Sequence, residues 1–177
     1  MKISIKKAGL LLIPFALTVL TLTAAFAASQ LNGDDSDFVK KVAKSNNAEV
    51  ELARLAVKKG TSGEVKEFAN QMMRDHSKAN RELADLAAAK GMDIPKGTPL
   101  SEDVTAVHLK MLSGKSFDEA FVKAMVDDHK DAVSALEKAS ESAQDADVKH
   151  FASNMLPTLK GHLTKIEEIS AEVNAGK

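Results

Sequence analysis

An all-α fold, four long helices packed up-down-up-down as a bundle with a short extra helix in the connection between the second and third, is predicted by three features of the sequence. From Asp37 onward the chain is dominated by Ala, Lys, Glu, Leu and Met, all strong helix formers. Within four long segments the apolar residues recur three and four apart, the spacing that puts one buried stripe on each helix. No segment reads as a strand.

Taken in order, the first element is a secretory signal over residues 1–27. Lys2, Lys6 and Lys7 form a positive start, an uncharged apolar run extends from Ala8 to Ala27, and Ala25-Phe26-Ala27 offers small residues for cleavage before Ala28. A run of about 20 apolar residues could instead anchor the chain in a bilayer. Pro14 and the small residues Ala24 to Ala28 favour removal. Without a cysteine near the cut, lipid attachment is excluded. A polar tether is expected over 28–36 and the bundle domain over 37–172.

The first long helix is expected from Asp37 to Lys59, with Phe38, Val42, Leu52, Leu55 and Ala56 inward. Gly60-Thr61-Ser62-Gly63 stops it and starts the second, which runs to about Lys90 with Val65, Phe68, Ala69, Met72, Leu83 and Leu86 inward and Gly91 as its stop. The connection from Gly91 to Lys115 contains Pro95 and Pro99 and a short helix opened by Ser101-Glu102, carrying Val104, Val107, Leu109 and Leu112. The third long helix spans Ser116 to Ser142 around Phe121, Met125, Ala132, Val133 and Leu136. After Gln144-Asp145-Ala146-Asp147, the fourth carries Val148, Phe151, Ala152, Met155, Leu159, Leu163, Ile166 and Ile169, with Pro157 expected to kink it.

Composition narrows the chemistry. Removing the signal takes three lysines and no acid from the 24 basic and 25 acidic residues, leaving a balance of −4 that disfavours nucleic acid as a partner. With no cysteine, an exported chain has no disulfide, thiolate or sulfur-clustered iron, so packing must supply its stability. The absence of Trp and Tyr removes stacking platforms, tyrosyl radicals and phenolic acids.

The halves resemble each other at an offset of 83. Phe38-Val39-Lys40 matches Phe121-Val122-Lys123, and Val65-Lys66-x-Phe68-Ala69-x-x-Met72 matches Val148-Lys149-x-Phe151-Ala152-x-x-Met155, the pattern of a duplicated helical hairpin.

A second match concerns chemistry. Phe68-x3-Met72-x2-Asp75-His76 is repeated as Phe121-x3-Met125-x2-Asp128-His129, each histidine on an apolar stripe. His162 lies likewise among Met155, Leu159 and Ile166, and Glu49 interrupts the stripe of the first helix. At 1.5 Å per residue, with both hairpin turns at one end, all four side chains fall within about two turns of one level. One carboxylate and three imidazoles suit a divalent transition metal such as Zn, Cu or Fe. Asp75 and Asp128 point about 100° away and are placed to act as outer-shell acceptors or extra ligands. Met72 and Met125 suit core filler, or would favour Cu(I) if they ligate. Lone stripe histidines are ordinarily satisfied core residues, so the case rests on the convergence of four. His108, in the long connection, and Asp147-x-x-His150, at a solvated helix start, are weaker candidates.

Glu49, Met72-x2-Asp75-His76, Ser113-Gly114-x-x-Phe117-Asp118, Met125-x2-Asp128-His129 and Leu156-Pro157-x4-His162 together resemble the bacterial family catalogued as domain of unknown function 4142, over about Asp37 to Ile169. That resemblance implies a ferritin-like four-helix fold in exported proteins, with no established activity. Ferritin-type di-iron chemistry is disfavoured, since it uses Glu-x-x-His on two helices. The residues three before His76, His129 and His162 are Met73, Val126 and Leu159.

Three functions follow as expectations. The first is a periplasmic or secreted metal binder serving sequestration, delivery or envelope stress, its partner the ion rather than nucleic acid or, after cleavage, membrane. The second is a metal-free structural or interaction module. The third is a metalloenzyme, for which the sequence offers no nucleophile or substrate pocket.

Overall fold

The structure is a computed structural model that describes residues 30–97 and 104–175. The signal segment, its cleavage site, the first residues of the tether and the Ser101-Glu102 helix start lie outside the described residues. Five helices are present among them, with no strand: α1 (Gly33–Lys59), α2 (Gly63–Ala89), α3 (Val104–Met111), α4 (Gly114–Ser142) and α5 (Ala146–Asn174).

Local signals set the ends. Asn32 accepts from the backbone N–H of Asp35 at 2.9 Å and donates to its carboxylate at 2.8 Å, a reciprocal cap. The first helix therefore starts four residues before the expected Asp37. Ser62 caps α2 and Asp145 caps α5 through the backbone of their first turns. Gly91, at φ 64°, closes α2 in the left-handed conformation, and its neighbour Met92 donates back to Ala87. α5 is one helix throughout, with Pro157 on its exposed side.

The long helices are neighbours in the cyclic order α1–α2–α5–α4, closely packed within each hairpin and more lightly between hairpins, most lightly between α1 and α4. Their directions depart from the expected up-down-up-down. Asp118, at the start of α4, accepts from the backbone of Thr61 and Ser62 in the α1–α2 turn. Asp35, at the start of α1, accepts from Gln144 and Asp145 in the α4–α5 turn. The two hairpin turns thus sit at opposite ends, and the bundle runs up-down-down-up. The connection after α2 must then climb the length of the bundle, roughly 40 Å at 1.5 Å per helical residue, and one long crossover is the ferritin-like arrangement. Asn47 holds the climbing chain at the Pro95 carbonyl, 2.9 Å away, and Lys59 donates to the carbonyls of Lys110 and Leu112 beyond α3.

Two apolar clusters result. The upper one gathers Leu52, Ala53, Ala56, Val65, Phe68, Met72, Phe117, Phe121, Met125, Ile166 and Ile169, beneath Ala106 and Leu109 of α3. The lower one gathers Val39, Ala43, Ala79, Leu83, Leu136, Val148, Phe151, Met155 and Leu159. In the first half of α1, Val39 and Ala43 face inward where the spacing had favoured Phe38 and Val42, which are half-buried at the margin. In α3, Ala106 and Leu109 are buried while Val104 and Val107 are exposed.

Candidate metal centre

Between the two clusters lies a polar layer of Asn46, Glu49, His76, His129 and His162, each at most 5% exposed. Each long helix contributes because polar residues interrupt its stripe, two on α1 and one each on α2, α4 and α5. The reversed direction of α4 and α5 barely moves the layer, since His129 lies 15 residues after Gly114 and 13 before Ser142.

Each imidazole faces an oxygen acceptor on its outer side. His76 Nδ1 is 3.0 Å from Asn46 Oδ1, His129 Nδ1 is 2.8 Å from the Met125 carbonyl, and His162 Nε2 is 2.8 Å from Asp75 Oδ2. Those nitrogens must carry the protons. The opposite nitrogens, His76 Nε2, His129 Nε2 and His162 Nδ1, are buried, and none makes an aligned hydrogen bond. One coordinating atom from each of the three histidines can be chosen so that all lie within 4.8 Å of one another. The ring centroids are 5.5 to 5.8 Å apart. A metal with M–N bonds of 2.0–2.1 Å sets its nitrogens about 3.4 Å apart, so the rings need close by only about an ångström.

Electrostatics divide the layer in two. Burial raises the Glu49 carboxyl, but the adjacent imidazole of His76 above all, with His129 and the hydroxyl of Ser45, outweighs it and holds it at about 2. Glu49 is an anion. Burial lowers His76, yet Glu49 and Asp75 more than reverse this, so its imidazole is raised above the ordinary value. Its Nε2 lies 3.0 Å from Glu49 Oε2, close enough for an ion pair although the geometry is poor for a hydrogen bond. Burial pushes His129 down to about 4 against the attraction of Glu49. His162 is likewise lowered by burial, despite Asp75. Glu49 is thus paired with His76, while burial favours neutral imidazoles at His129 and His162, whose inward nitrogens have no aligned protein partner. Such atoms are expensive in a dry interior. A cation satisfies them together, and three buried histidines so arranged can hold a metal ion.

The structure brings Glu49, His76, His129 and His162 together, with Asp75 behind His162. Asp128 is half-buried on the α1/α4 seam, among the residues that line a cleft there. Met72 and Met125 are buried in the upper cluster, and Met125 reaches the layer through its carbonyl. His108 is exposed on α3, and His150 is exposed at 2.9 Å from Asn154. Sequence reasoning missed Asn46, one turn before Glu49 and 83 residues before His129, so the duplicated spacing could have flagged it. It also missed the latches formed by Asp35 and Asp118.

Comparison with known proteins agrees with this architecture. The model of the family described as domain of unknown function (DUF4142) matches residues 20–169. No curated protein matches the sequence. Among solved structures, a DUF305 fragment from Deinococcus radiodurans superposes with a TM-score of 0.71 at 13% identity, over 81% of this chain and 99% of that one. A candidate secreted DUF305 protein from Streptomyces coelicolor gives 0.69 at 15% identity, over 79% and 92%. CopM in its Cu(II)-bound form gives 0.65 at 15% identity, over 78% and 96%; CopM has also been solved in Cu(I)- and Ag-bound forms. At these identities the likeness shows the fold. No described helix is long and apolar enough to cross a membrane.

Proposed function

The chain belongs to the DUF4142 family, and we propose that this member is an exported protein that takes one transition-metal ion into the core of its bundle, for sequestration, delivery or protection of the envelope. His76, His129 and His162 are the ligands and Glu49 supplies the compensating negative charge. The observation that carries this reading is the trio of buried inward nitrogens, none with an aligned hydrogen bond, in three histidines whose coordinating atoms can be chosen within 4.8 Å of one another. Asp75 and the Met125 carbonyl are the second-shell acceptors that metal-binding histidines ordinarily have. Nitrogen and carboxylate donors without sulfur suit Zn, Cu or Fe. The copper- and silver-bound forms of CopM make copper the first metal to test. The signal-like start supports export, as does the likeness to a candidate secreted protein.

Metal content measured by mass spectrometry after neutral purification and loading tests this, alongside the thermal midpoint with and without chelator. One ion per chain and a midpoint raised by metal are expected, because a ligand that binds only the folded state stabilises it. The joint replacement of His76 and His129 by Ala removes both effects. Substoichiometric metal that the double variant leaves unchanged sinks the proposal in favour of a metal-free structural module, in which the Glu49–His76 pair simply locks the helices.

A further inference from the structure

We infer that metal enters and leaves the layer through the seam between α1 and α4, with Asp128 as the outer carboxylate that receives the ion and Glu49 as the inner one that hands it to the histidines. This inference rests on the metal-binding reading above.

A buried site needs a route that does not require the bundle to open. Above the layer, Phe68 stands against His129 and His162, with ring centroids 6.0 and 5.8 Å apart. Below it stand Leu159 and Leu136, 2% and 3% exposed, which also line the cleft on the α1/α4 side. On the α2/α5 side Asp75 reaches solvent, but it lies behind the His162 ring, bonded to the nitrogen opposite the inward one. An ion arriving there meets the wrong edge of the imidazole.

The α1/α4 side is different. This seam is the most lightly packed of the four, and among the larger side chains that line it Ser45 from α1 and Ala132 and Ala135 from α4 are small. A cleft of about 210 Å³ opens there, and its lining includes both Glu49 and His76, although these are only 3% and 1% exposed. An adjoining cleft shares Lys41, Ser45, Glu49 and Asp128. Glu49 Oε2, the buried oxygen without an aligned hydrogen bond, thus belongs to a residue lining both openings. Sites for organic ligands run to about 300–1,000 Å³, so this volume suits a cation shedding water better than a small molecule. Asp128 and Asp131 line the cleft with Lys41, and Lys44 lines the adjoining one beside Asp128, which immediately precedes His129. A carboxylate there can replace part of the ion's hydration shell before Glu49 does the same one step further in.

Stopped-flow transfer of Zn²⁺ or Cu⁺ from a chromogenic chelator to the full-length mature protein, and back to excess chelator, tests the route. Asp128→Asn should slow uptake about tenfold while shifting the equilibrium affinity far less, as expected for a charge that acts on association. Ala135→Leu narrows the cleft without touching a carboxylate, and should slow uptake and release together. The exposed Asp85→Asn should match wild type, and circular dichroism checks that each variant is folded. Wild-type rates in both folded seam variants overturn the route while leaving the metal site standing. Wild-type protein that takes up no metal overturns the binding reading and the route with it.

Discussion

Two kinds of buried acid sit in this bundle, and they are treated in opposite ways. Asp118, at the start of α4, accepts from Thr61 N, Thr61 Oγ1 and Ser62 N at 2.6 to 3.0 Å. Asp35, 83 residues earlier, accepts from Asn32, Gln144 and Asp145. Each carboxylate at the head of one hairpin latches the turn of the other, and its oxygens are fully used. Gly60 is part of the device: a Cβ there would lie 2.9 Å from Asp118 Oδ1. In the central layer, by contrast, Glu49, His76, His129 and His162 each keep a buried atom without an aligned partner. The same chain that satisfies its acids at the two ends leaves its middle incomplete. Latches that hold two hairpins together must be finished before folding ends, whereas a site that receives an ion must keep its lone pairs available. The unsatisfied atoms at mid-bundle therefore read as function and the satisfied ones as architecture.

The sharpest way to break that contrast is Asp118→Ala. Three donors in the α1–α2 turn lose a charged acceptor together, which should cost about 4 kcal/mol of folding stability. Urea unfolding of the metal-free protein measures it. Metal response in the surviving folded fraction should persist, since the layer lies some 15–20 Å away along the helices. A variant of unchanged stability would mean that water serves the turn as well as Asp118 does.

Acid should act on the layer next. In the folded chain His129 is held at about 4 against an ordinary 6.5, so below 6.5 the unfolded chain takes a proton the folded one refuses. Stability is then present above 6.5 and lost as the pH falls towards 4, by about 3 kcal/mol for this one group. His162, also lowered, adds a loss of the same sign. Glu49, lowered from 4.5 to about 2, adds a further loss between those values. His76 is raised, so its contribution is present below 6.5 and disappears as the pH climbs through its folded value. Stability of the metal-free protein should therefore peak near neutrality. Urea melts between pH 7 and 4 check this, and a flat profile would mean that the histidines are solvated.

Much of this was legible in the sequence, and what was not has a physical reason. Apolar spacing fixes which face of a helix is buried, so the four long helices and the layer of Glu49, His76, His129 and His162 could be read directly. Spacing says nothing about which end a helix enters from. Direction is decided by the crossover, and the length of the segment from Gly91 to Ser113 was the available hint: a same-end link needs far fewer residues. The level of the layer survived the error because His129 and His162 lie near the middle of α4 and α5. Asp35 was hidden in a stretch that reads as a tether, and its role depends on a turn 109 residues away. Only the offset of 83, which pairs Asp35 with Asp118 and Ser62 with Asp145, carried a trace of it.

Asp75→Asn probes the layer from its outer shell. Losing the carboxylate behind His162 weakens the bias that fixes its tautomer and lowers its basicity as a ligand. Such second-shell changes cost about 10- to 100-fold in metal affinity, or roughly 1–3 kcal/mol. Chelator competition at constant pH measures it, and the stability of the metal-free protein should move less than the affinity does. An affinity equal to wild type would mean that His162 does not ligate.

The smallest expected effect is the most discriminating, because its sign differs between the two regions. His129 is fully buried beside Phe68, neutral, and has a nitrogen that accepts nothing. Replacing it with Leu removes that unsatisfied atom and joins the upper and lower apolar clusters across the layer. The change also gives up the hydrogen bond to the Met125 carbonyl, which remains bonded within the helix. The balance should favour Leu by about 1 kcal/mol in the metal-free protein, as for other buried polar groups exchanged for apolar ones of similar volume. The same variant should lose the stabilisation that metal confers, so its melting curve should be the same with metal and with chelator. No comparable gain is available at Asp118, where every replacement discards bonds that the fold uses. If His129→Leu instead destabilised the metal-free chain as severely as Asp118→Ala, the middle of the bundle would be architecture as well.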